Sequence, residues 1–397
     1  MRNFLNQKVQ AIEPSGIRRF FSMASEMTDV ISLGVGEPDF DTPWHVRDEG
    51  IYTIQKGRTF YTANAGLLEL RQAIAENIMR LQGVPYDPTK EVLVTIGGSE
   101  AIDLVFRAVI EPGDEVIYTQ PCYVSYLPCV QLAGGVPVAV DLKEENNFRL
   151  TRAELEAAIT DKTKVLVLSF PNNPTGAVMT KADLEAIADL IIEKDLLVVS
   201  DEIYDRLTYN DDEEHVSIIS LPGMRERTIY INGFSKAYAM TGWRLGYCAG
   251  PAVLIEQMTK IHQFTIMAAP TMSQYAGLEA LRSGDPDVEE MRESYNQRRR
   301  FLLSELERLG IPCFEPLGAF YIFPNISQFG MTSEEFATRL IMEKRVAVVP
   351  GTAFGKSGEG FIRISYAYSI NELKVALERI EEFIIELHRE KALHSMR

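Results

Sequence analysis

The stretch NGFSKAYAMTGWRLGY, from Asn232 to Tyr247, follows a short apolar strand and holds the residues around which the chain is organised. It contains a lysine and an arginine eight residues apart, with a serine directly before the lysine. If the chain leaves the strand in a tight turn, Lys236 faces a cleft while Ser235 and Arg244 converge on one anion. An amine beside such an anion site is typical of Schiff-base chemistry on a phosphorylated cofactor. Taken alone, the segment is explained at least as well by a solvated lysine and an arginine in a structural ion pair.

The composition is that of a globular protein with an acidic surface. The 397 residues are 46% hydrophobic and 24% charged, enough for two domains with a large core. Lys and Arg number 40 against 56 Asp and Glu, and the resulting charge of −16 disfavours binding to nucleic acid or anionic lipid. We see no signal peptide and no membrane-length apolar run, so we expect a cytoplasmic protein that binds no membrane. The five histidines form no HxxxH or HExxH pair, so we expect no metal site.

Short apolar strands alternate with helices between Val136 and Asn232. This alternation predicts an α/β fold whose mostly parallel sheet is buried between helices, with ligands at the carboxyl ends of the strands. Asn173, Asp201 and Lys236 each come just after such a strand. We therefore expect three distant segments to meet at one edge of the sheet.

A glycine pair separates a predicted strand from a predicted helix near residue 97. The strand spans residues 91–96, Gly97 and Gly98 form the turn, and the helix follows from Ser99. This order directs free backbone N–H groups, through Glu100, and the positive end of a helix dipole towards a phosphate. The same order also caps many helices that bind no ligand.

The last third of the chain has the pattern of a smaller α+β domain. A long helix is predicted from about Asp287 to Gly310, followed by the strands AFYIF, VAVVP and FIRIS and a last helix from Asn371 to about His388. We expect an N-terminal arm that includes part of the small domain, then the large domain, then the small C-terminal domain, at 1–45, 46–285 and 286–397.

Five segments in one order resemble the class I/II aminotransferases of the aspartate and aromatic subgroup, which are pyridoxal-phosphate enzymes of fold type I. They are GGSEA at 97–101, LVLSFPNNPTG at 166–176, LLVVSDEIYDRL at 196–207, the stretch quoted above and FIRISYA at 361–367. The likeness covers nearly the whole chain. It implies a large domain with a mostly parallel seven-stranded sheet between helices, and a smaller α+β domain.

The resemblance implies pyridoxal 5'-phosphate as the cofactor and gives each part of its ring a partner. Lys236 would form the Schiff base and then move the proton at the substrate α-carbon. Asp201 would pair with the ring nitrogen, and Asn173 and Tyr204 with the phenolic oxygen. Tyr123 would lie against the ring face, with Tyr126 as the alternative if the local register differs.

Further residues would bind the phosphate and the substrate. The phosphate contacts implied by the family are Gly98, Ser99, Glu100, Ser235, Arg244 and, from the neighbouring subunit, Tyr61. The match at Tyr61 implies a homodimer with shared active sites. Many relatives carry Ser or Thr where this chain has Gly233, so Ser235 takes more weight. Arg363 would bind the α-carboxylate with help from Asn173, while Gly36 and Ile17 of the arm would border the substrate.

We expect an aminotransferase that passes the amino group of an L-amino acid, such as aspartate or an aromatic one, to 2-oxoglutarate by a ping-pong mechanism. A pyridoxal-phosphate C–S lyase, or another reaction on this fold, would use the same residues. A ligand-sensing part of a transcription regulator would carry an added DNA-binding domain, which we do not expect here.

Side-chain selectivity is expected to be modest. Some aspartate specialists place a lysine directly after the glycine pair, where this chain has Ser99. Without that fixed cation, neither acidic nor aromatic side chains are strongly disfavoured. A selectivity element that we have not identified would most simply lie in a predicted loop at 262–270.

Overall fold

Short runs of Val, Ile and Leu form a seven-stranded sheet at the centre of the fold. The computed structural model describes residues 4–14, 16–17, 27–210 and 214–395. In sheet order the strands are Val92–Thr95, Gly246–Ala249, Thr228–Gly233, Leu197–Asp201, Thr163–Ser169, Glu115–Gln120 and Val136–Asp141. Only Gly246–Ala249 runs against its neighbours, so the expected α/β fold with a mostly parallel seven-stranded sheet is confirmed.

The central strands are buried on both faces, which explains their unbroken apolar sequences. Leu166 and Val167 point to opposite faces of the sheet, and both are buried. The edge strand differs, since Val136 is exposed and Val140 is buried. Helices must therefore cover both faces of the sheet to shield its interior from water.

Helices cover the sheet and begin where the sequence places N-terminal caps. Thr151 and Thr180 each accept a hydrogen bond from the third helical residue, whose carboxylate bonds back to the threonine N–H. Among the described residues up to 283 the α-helices include Gln7–Gln10, Trp44–Gln55, Leu68–Gln82, Gly97–Val109, Tyr126–Ala133, Arg152–Ala158, Lys181–Glu193, Ala252–Thr265 and Thr271–Ser283. Among the described residues, none of the helices is long and apolar enough to cross a membrane.

One predicted loop proves to be partly helical. The segment 262–270 was predicted as a loop, but the helix Ala252–Thr265 includes its first four residues. His262 is fully buried and continues the buried stripe of Ile255 and Met258 on this helix. Because packing of this stripe stabilises the helix, the helix continues through His262 for about one more turn.

The C-terminal part forms a second, smaller layer of helices and strands. Its antiparallel sheet has the order Val349–Pro350, Ile362–Ser365, Tyr321–Ile322, and its helices are Asp285–Arg308, Ser333–Lys344 and Ile370–Ser395. The last helix runs beyond the predicted end at His388, and Glu390 in the added part forms an ion pair with Arg339 at 2.9 Å.

The N-terminal segment joins this C-terminal part. Ile31–Ser32 pairs in parallel with Val346–Ala347, and the Ser365 N–H donates to the Leu33 carbonyl. The assignment of the arm partly to the small domain stays a prediction. The division at residues 45 and 285 stays a prediction.

Candidate active site

A cavity of about 530 Å³ opens at the carboxyl ends of the parallel strands. Strand ends that are distant in sequence meet here, as the alternating pattern predicted. Every predicted site residue except Glu100 and Tyr61 lines the cavity. The residues brought together are Ile17, Gly36, Gly98, Ser99, Tyr123, Asn173, Asp201, Tyr204, Ser235, Lys236, Arg244 and Arg363.

Lys236 follows the strand Thr228–Gly233 and faces the cavity. Its Nζ donates a hydrogen bond of 2.5 Å to the carbonyl oxygen of Gly36. Burial, the largest cause, lowers the pKa of Lys236 to about 8, and the negative charge of Glu37 opposes this shift only in part. A lysine with a pKa this close to neutrality holds a fraction of neutral amine, the form that attacks carbonyl carbon.

Asp201 is a buried carboxylate at the end of the neighbouring strand. It accepts hydrogen bonds from the Tyr126 hydroxyl at 2.6 Å and from the Ile203 N–H at 3.3 Å. Burial raises the pKa of Asp201, while the hydrogen bond from Tyr126 acts in the opposite direction. Within the described chain no cation lies within ion-pair distance of this carboxylate, so it can hold a protonated nitrogen in a ligand.

Arg363 is a buried guanidinium without a carboxylate partner among the described residues. Its Nη1 donates to the Asn173 side-chain oxygen at 2.8 Å and its Nη2 to the Gly34 carbonyl, whereas its Nε has no partner there. The guanidinium carbon lies 4.4 Å from the ring centre of Tyr321 and 4.7 Å from that of Phe354. A buried cation held flat in this way is poised to bind a carboxylate from a ligand.

A second anion site lies at the glycine turn. Gly97 has a φ of +71°, a conformation that favours glycine, and it begins the helix Gly97–Val109. A Cβ on Gly97 would lie 2.8 Å from Nη2 of Arg244, so this guanidinium packs against the turn. The free amides of the first helical turn and the Arg244 side chain therefore face one region of the cavity, with Ser235 beside them.

Glu100 lies outside the cavity lining. Its carboxylate accepts from the Ile96 N–H at 2.6 Å and contacts His262 Nδ1 at 2.7 Å. The fourth residue of a helix normally donates its N–H to the residue before the helix. Gly98 and Ser99 are for this reason better placed as amide donors, and the amide contact of Glu100 stays a prediction.

The sequence offers Tyr123, with Tyr126 as the alternative, for the ring that lies against the cofactor. Tyr123 lines the cavity, with its hydroxyl 3.4 Å from the Ser99 Oγ. The alternative, Tyr126, is fixed by its bonds to Asp201 and to Ser169, which leaves Tyr123 as the ring free to lie against a ligand.

Tyr61 is 82% exposed and outside the cavity, so its contact with a neighbouring subunit stays a prediction.

Sequence reasoning missed two residues at this site. Tyr126 was considered only for ring stacking, yet it binds Asp201. Tyr321 was seen only as part of a strand, yet it lines the cavity beside Arg363. The signal for Tyr321 lies in strand alternation, since it pairs with Ser365, which shares a face with Arg363.

The comparisons with known proteins agree on one family. The family model for aminotransferase class I and II matches residues 28–380. The chain is 48% identical over 384 residues to the aspartate aminotransferase of Pyrococcus abyssi, covering 96% of this chain and 98% of that one. It is 45% identical over 384 residues to aromatic-amino-acid aminotransferase 2 of Thermococcus litoralis, with the same coverage of 96% and 98%. The crystal structure of the aromatic aminotransferase from Pyrococcus horikoshii OT3 matches with a TM-score of 0.89 and 48% identity, over 93% of this chain and 99% of that one.

Proposed function

This chain belongs to the class I and II aminotransferases, and from that premise we propose that it moves the amino group of an L-amino acid to 2-oxoglutarate. The observation that carries the proposal is the buried Arg363, which has no carboxylate partner in the described chain and lies in the same cavity as Lys236. Both the amino acid and the 2-oxo acid carry a carboxylate beside the reacting carbon, so one arginine serves both. The two half-reactions would alternate in this single cavity in ping-pong order.

Aminotransferases of this class use pyridoxal phosphate, and the donor set of the cavity fits it. Lys236 would hold the aldehyde carbon, Asp201 the ring nitrogen, and Arg244 with Ser235 and the Gly98 amide the phosphate. The fit rests on complementary charges, since among the described residues Asp201 has no cation and Arg244 no carboxylate within salt-bridge distance, and both line the cavity. When bound, the cofactor supplies a carbonyl carbon for the substrate amine and a ring that stabilises negative charge at the α-carbon.

The residues of this chain orient the substrate and move one proton. Arg363 would hold the α-carboxylate through its guanidinium edge, which fixes the direction of the α-carbon hydrogen. Lys236, with its pKa lowered by burial, would take the proton from the α-carbon of the amino acid in one half-reaction. It would return a proton to the α-carbon derived from the 2-oxo acid in the other. Asp201 would keep the ring nitrogen protonated, while Tyr204 and Asn173 would donate to the phenolic oxygen.

We also propose broad substrate use. In the described lining of the cavity the cations are Lys236, Arg244 and Arg363, and the roles proposed above use all three. No cation is left there for a side-chain carboxylate, so the side chain of aspartate gains no fixed ion pair. For the same reason, an aromatic side chain leaves no buried cation without a partner. The names of the relatives, aspartate and aromatic aminotransferases, support this breadth.

We propose that the protein is a cytoplasmic homodimer with shared sites. Phe60, Tyr61 and Phe264 are each more than 80% exposed, an unusual cluster of bare aromatic rings. Their segments adjoin, because Thr271 donates to the Phe60 carbonyl and Asn64 to the Met267 carbonyl. A second copy of the chain would cover this surface and receive Tyr61.

The test is steady-state turnover of a panel of amino acids with 2-oxoglutarate, read as glutamate formed. We expect glutamate from aspartate and phenylalanine, with kcat/KM values within about tenfold to a hundredfold of each other. An S-alkyl cysteine tests the alternative, because a C–S lyase would break it down to the thiol, pyruvate and ammonia with no 2-oxoglutarate added. Pyruvate release without glutamate formation would overturn transamination in favour of the lyase.

A further inference from the structure

Tyr321 lies between Tyr204, proposed to contact the cofactor, and Arg363, proposed to bind the substrate carboxylate. The function proposed above gives Tyr321 itself no role. It is 1% exposed and belongs to the short strand Tyr321–Ile322. This strand pairs with Ile362–Ser365, the strand that carries Arg363. The position places one side chain against both the cofactor side and the carboxylate side of the site.

The hydroxyl of Tyr321 is 2.7 Å from the hydroxyl of Tyr204. Burial raises the pKa of both groups, so both keep their protons at neutral pH. Of two such hydroxyls in contact, one donates to the other. When Tyr204 turns its own proton towards a ligand oxygen, Tyr321 must be the donor of the pair. A hydroxyl that accepts a hydrogen bond becomes a stronger donor in turn.

The ring of Tyr321 packs against Arg363, the residue proposed to bind the substrate carboxylate. The guanidinium carbon of Arg363 lies 4.4 Å from the centre of this ring and 4.7 Å from the centre of the Phe354 ring. A Cβ on Gly36 would lie 2.5 Å from the Tyr321 hydroxyl oxygen, so only glycine leaves room for it. The ionisable groups facing Tyr321 are Arg363, Tyr204, Tyr123 and Glu37.

We propose that Tyr321 is a positioning residue with two separable tasks. Its hydroxyl donates to Tyr204 and strengthens Tyr204 as a donor to the cofactor, while its ring holds Arg363 flat for the substrate carboxylate. The inference rests on the proposed function, because it assigns Tyr204 and Arg363 their roles there. Removing the hydroxyl and removing the ring should then have different consequences.

The hydroxyl is tested by the pH dependence of the visible absorption of the cofactor bound at Lys236. A weaker donor at the phenolic oxygen favours the protonated chromophore, so Tyr321→Phe should raise the midpoint by about 0.5 pH unit. Tyr204→Phe, which removes the direct donor, should raise it further. Tyr295→Phe is the matched control, because its buried hydroxyl has no partner among the described residues and its ring packs on Phe320, next to Tyr321. This control should leave the midpoint unchanged.

The ring is tested with 3-phenylpropionate and maleate, carboxylates that lack the reacting amino group. Titrated into the holoenzyme, each should bind Tyr321→Phe within about twofold of the wild type, because the ring under Arg363 remains. Tyr321→Leu should lose about tenfold in affinity for both, the size of a desolvated cation–π contact. Melting curves establish that each variant is folded, and the Phe variant serves as the conservative rescue.

The outcomes separate this inference from the proposed function. A wild-type protein without visible absorption after addition of pyridoxal phosphate would overturn the proposed function. A normal wild-type spectrum with an unshifted midpoint in Tyr321→Phe would overturn only the task of the hydroxyl. Equal losses of carboxylate affinity in the Phe and Leu variants would overturn the task of the ring.

Discussion

Lys236 combines two properties that seldom occur together in a lysine, an enclosed position and a pKa lowered to about 8. The amine is held by the Gly36 carbonyl, not by a carboxylate, so its charge is not locked in an ion pair. Asp201 and Arg363 are also enclosed, and burial raises the pKa of the acid and lowers that of the arginine. Each of these three groups is enclosed without a salt-bridge partner in the described chain, which costs folding free energy unless a ligand compensates.

Lys236→Ala should lower turnover by at least about a thousandfold, because it removes both the amine that binds the cofactor and the proton carrier. The melting temperature should change little, since the change removes an enclosed charge together with the contacts of the lysine side chain with the rings of Tyr204 and Phe320. Borohydride reduction of the wild type, followed by peptide mass spectrometry, should find the cofactor on this lysine. Lys260→Ala, at an exposed lysine, is the control. Label recovered at another lysine would contradict the assignment.

At the scale of elements, the strand Gly246–Ala249 supports the glycine turn. A Cβ on Gly246 would lie 2.5 Å from the Gly97 carbonyl carbon and 2.6 Å from the Gly98 nitrogen. Gly246→Ala should therefore displace the turn and weaken binding of pyridoxal phosphate by about tenfold or more, measured by equilibrium dialysis. Val253→Ala, at an exposed residue outside the cavity, is the control. Equal affinities for the two variants would show that the turn does not bind the phosphate.

A histidine connects three helices. His45 Nδ1 contacts Glu279 at 2.8 Å and its Nε2 contacts Asp287 at 3.0 Å. Burial lowers the pKa of His45, but the hydrogen bonds and charges of the two carboxylates outweigh it and the net shift is upward. With the folded pKa above the unfolded value, the stabilisation is full below about pH 6.5 and disappears as the pH rises through the folded pKa.

His45→Gln should therefore lower the melting temperature more at pH 6 than at pH 9. The comparison is repeated in a background with Glu279→Gln and Asp287→Asn, where His45 has lost both partners. In that background the pH-dependent part of the difference should vanish. A penalty that is the same at both pH values would show that His45 acts through packing alone.

The elements themselves were largely predictable, and their pairing was not. Asn173, Asp201 and Lys236 could be placed at one edge because parallel strands end on the same side of a sheet. The antiparallel strand at Gly246 and the contact between Tyr321 and Arg363 depend on register. Register is set by long-range packing, so the alternation that would place Tyr321 beside Arg363 becomes usable only when the pairing of Tyr321 with Ser365 is known. The bond from Tyr126 to Asp201 likewise joins segments that only the fold brings together.

At the scale of the whole molecule, exposed aromatic side chains predict a dimer whose sites are shared. Mixing Tyr61→Ala with Lys236→Ala should restore activity, because a hybrid has one site with its own Lys236 and the Tyr61 of the other chain. Random exchange of equal amounts gives about a quarter of the wild-type sites. The measurement is turnover after subunit exchange, with each parent variant alone as the control. Inactive hybrids from two parents shown to be dimers would contradict shared sites.

The pairing of Ile31–Ser32 with Val346–Ala347 has a consequence for biosynthesis. The arm that brings the Gly36 carbonyl to Lys236 leaves the ribosome about 300 residues before its strand partner. At roughly 5–20 residues per second, this delay lasts on the order of tens of seconds. Throughout that interval the nascent chain presents an unpaired strand edge, which chaperones can bind. A ribosome-stalled fragment that ends before Val346 should therefore lack a finished substrate pocket, even with its large sheet complete.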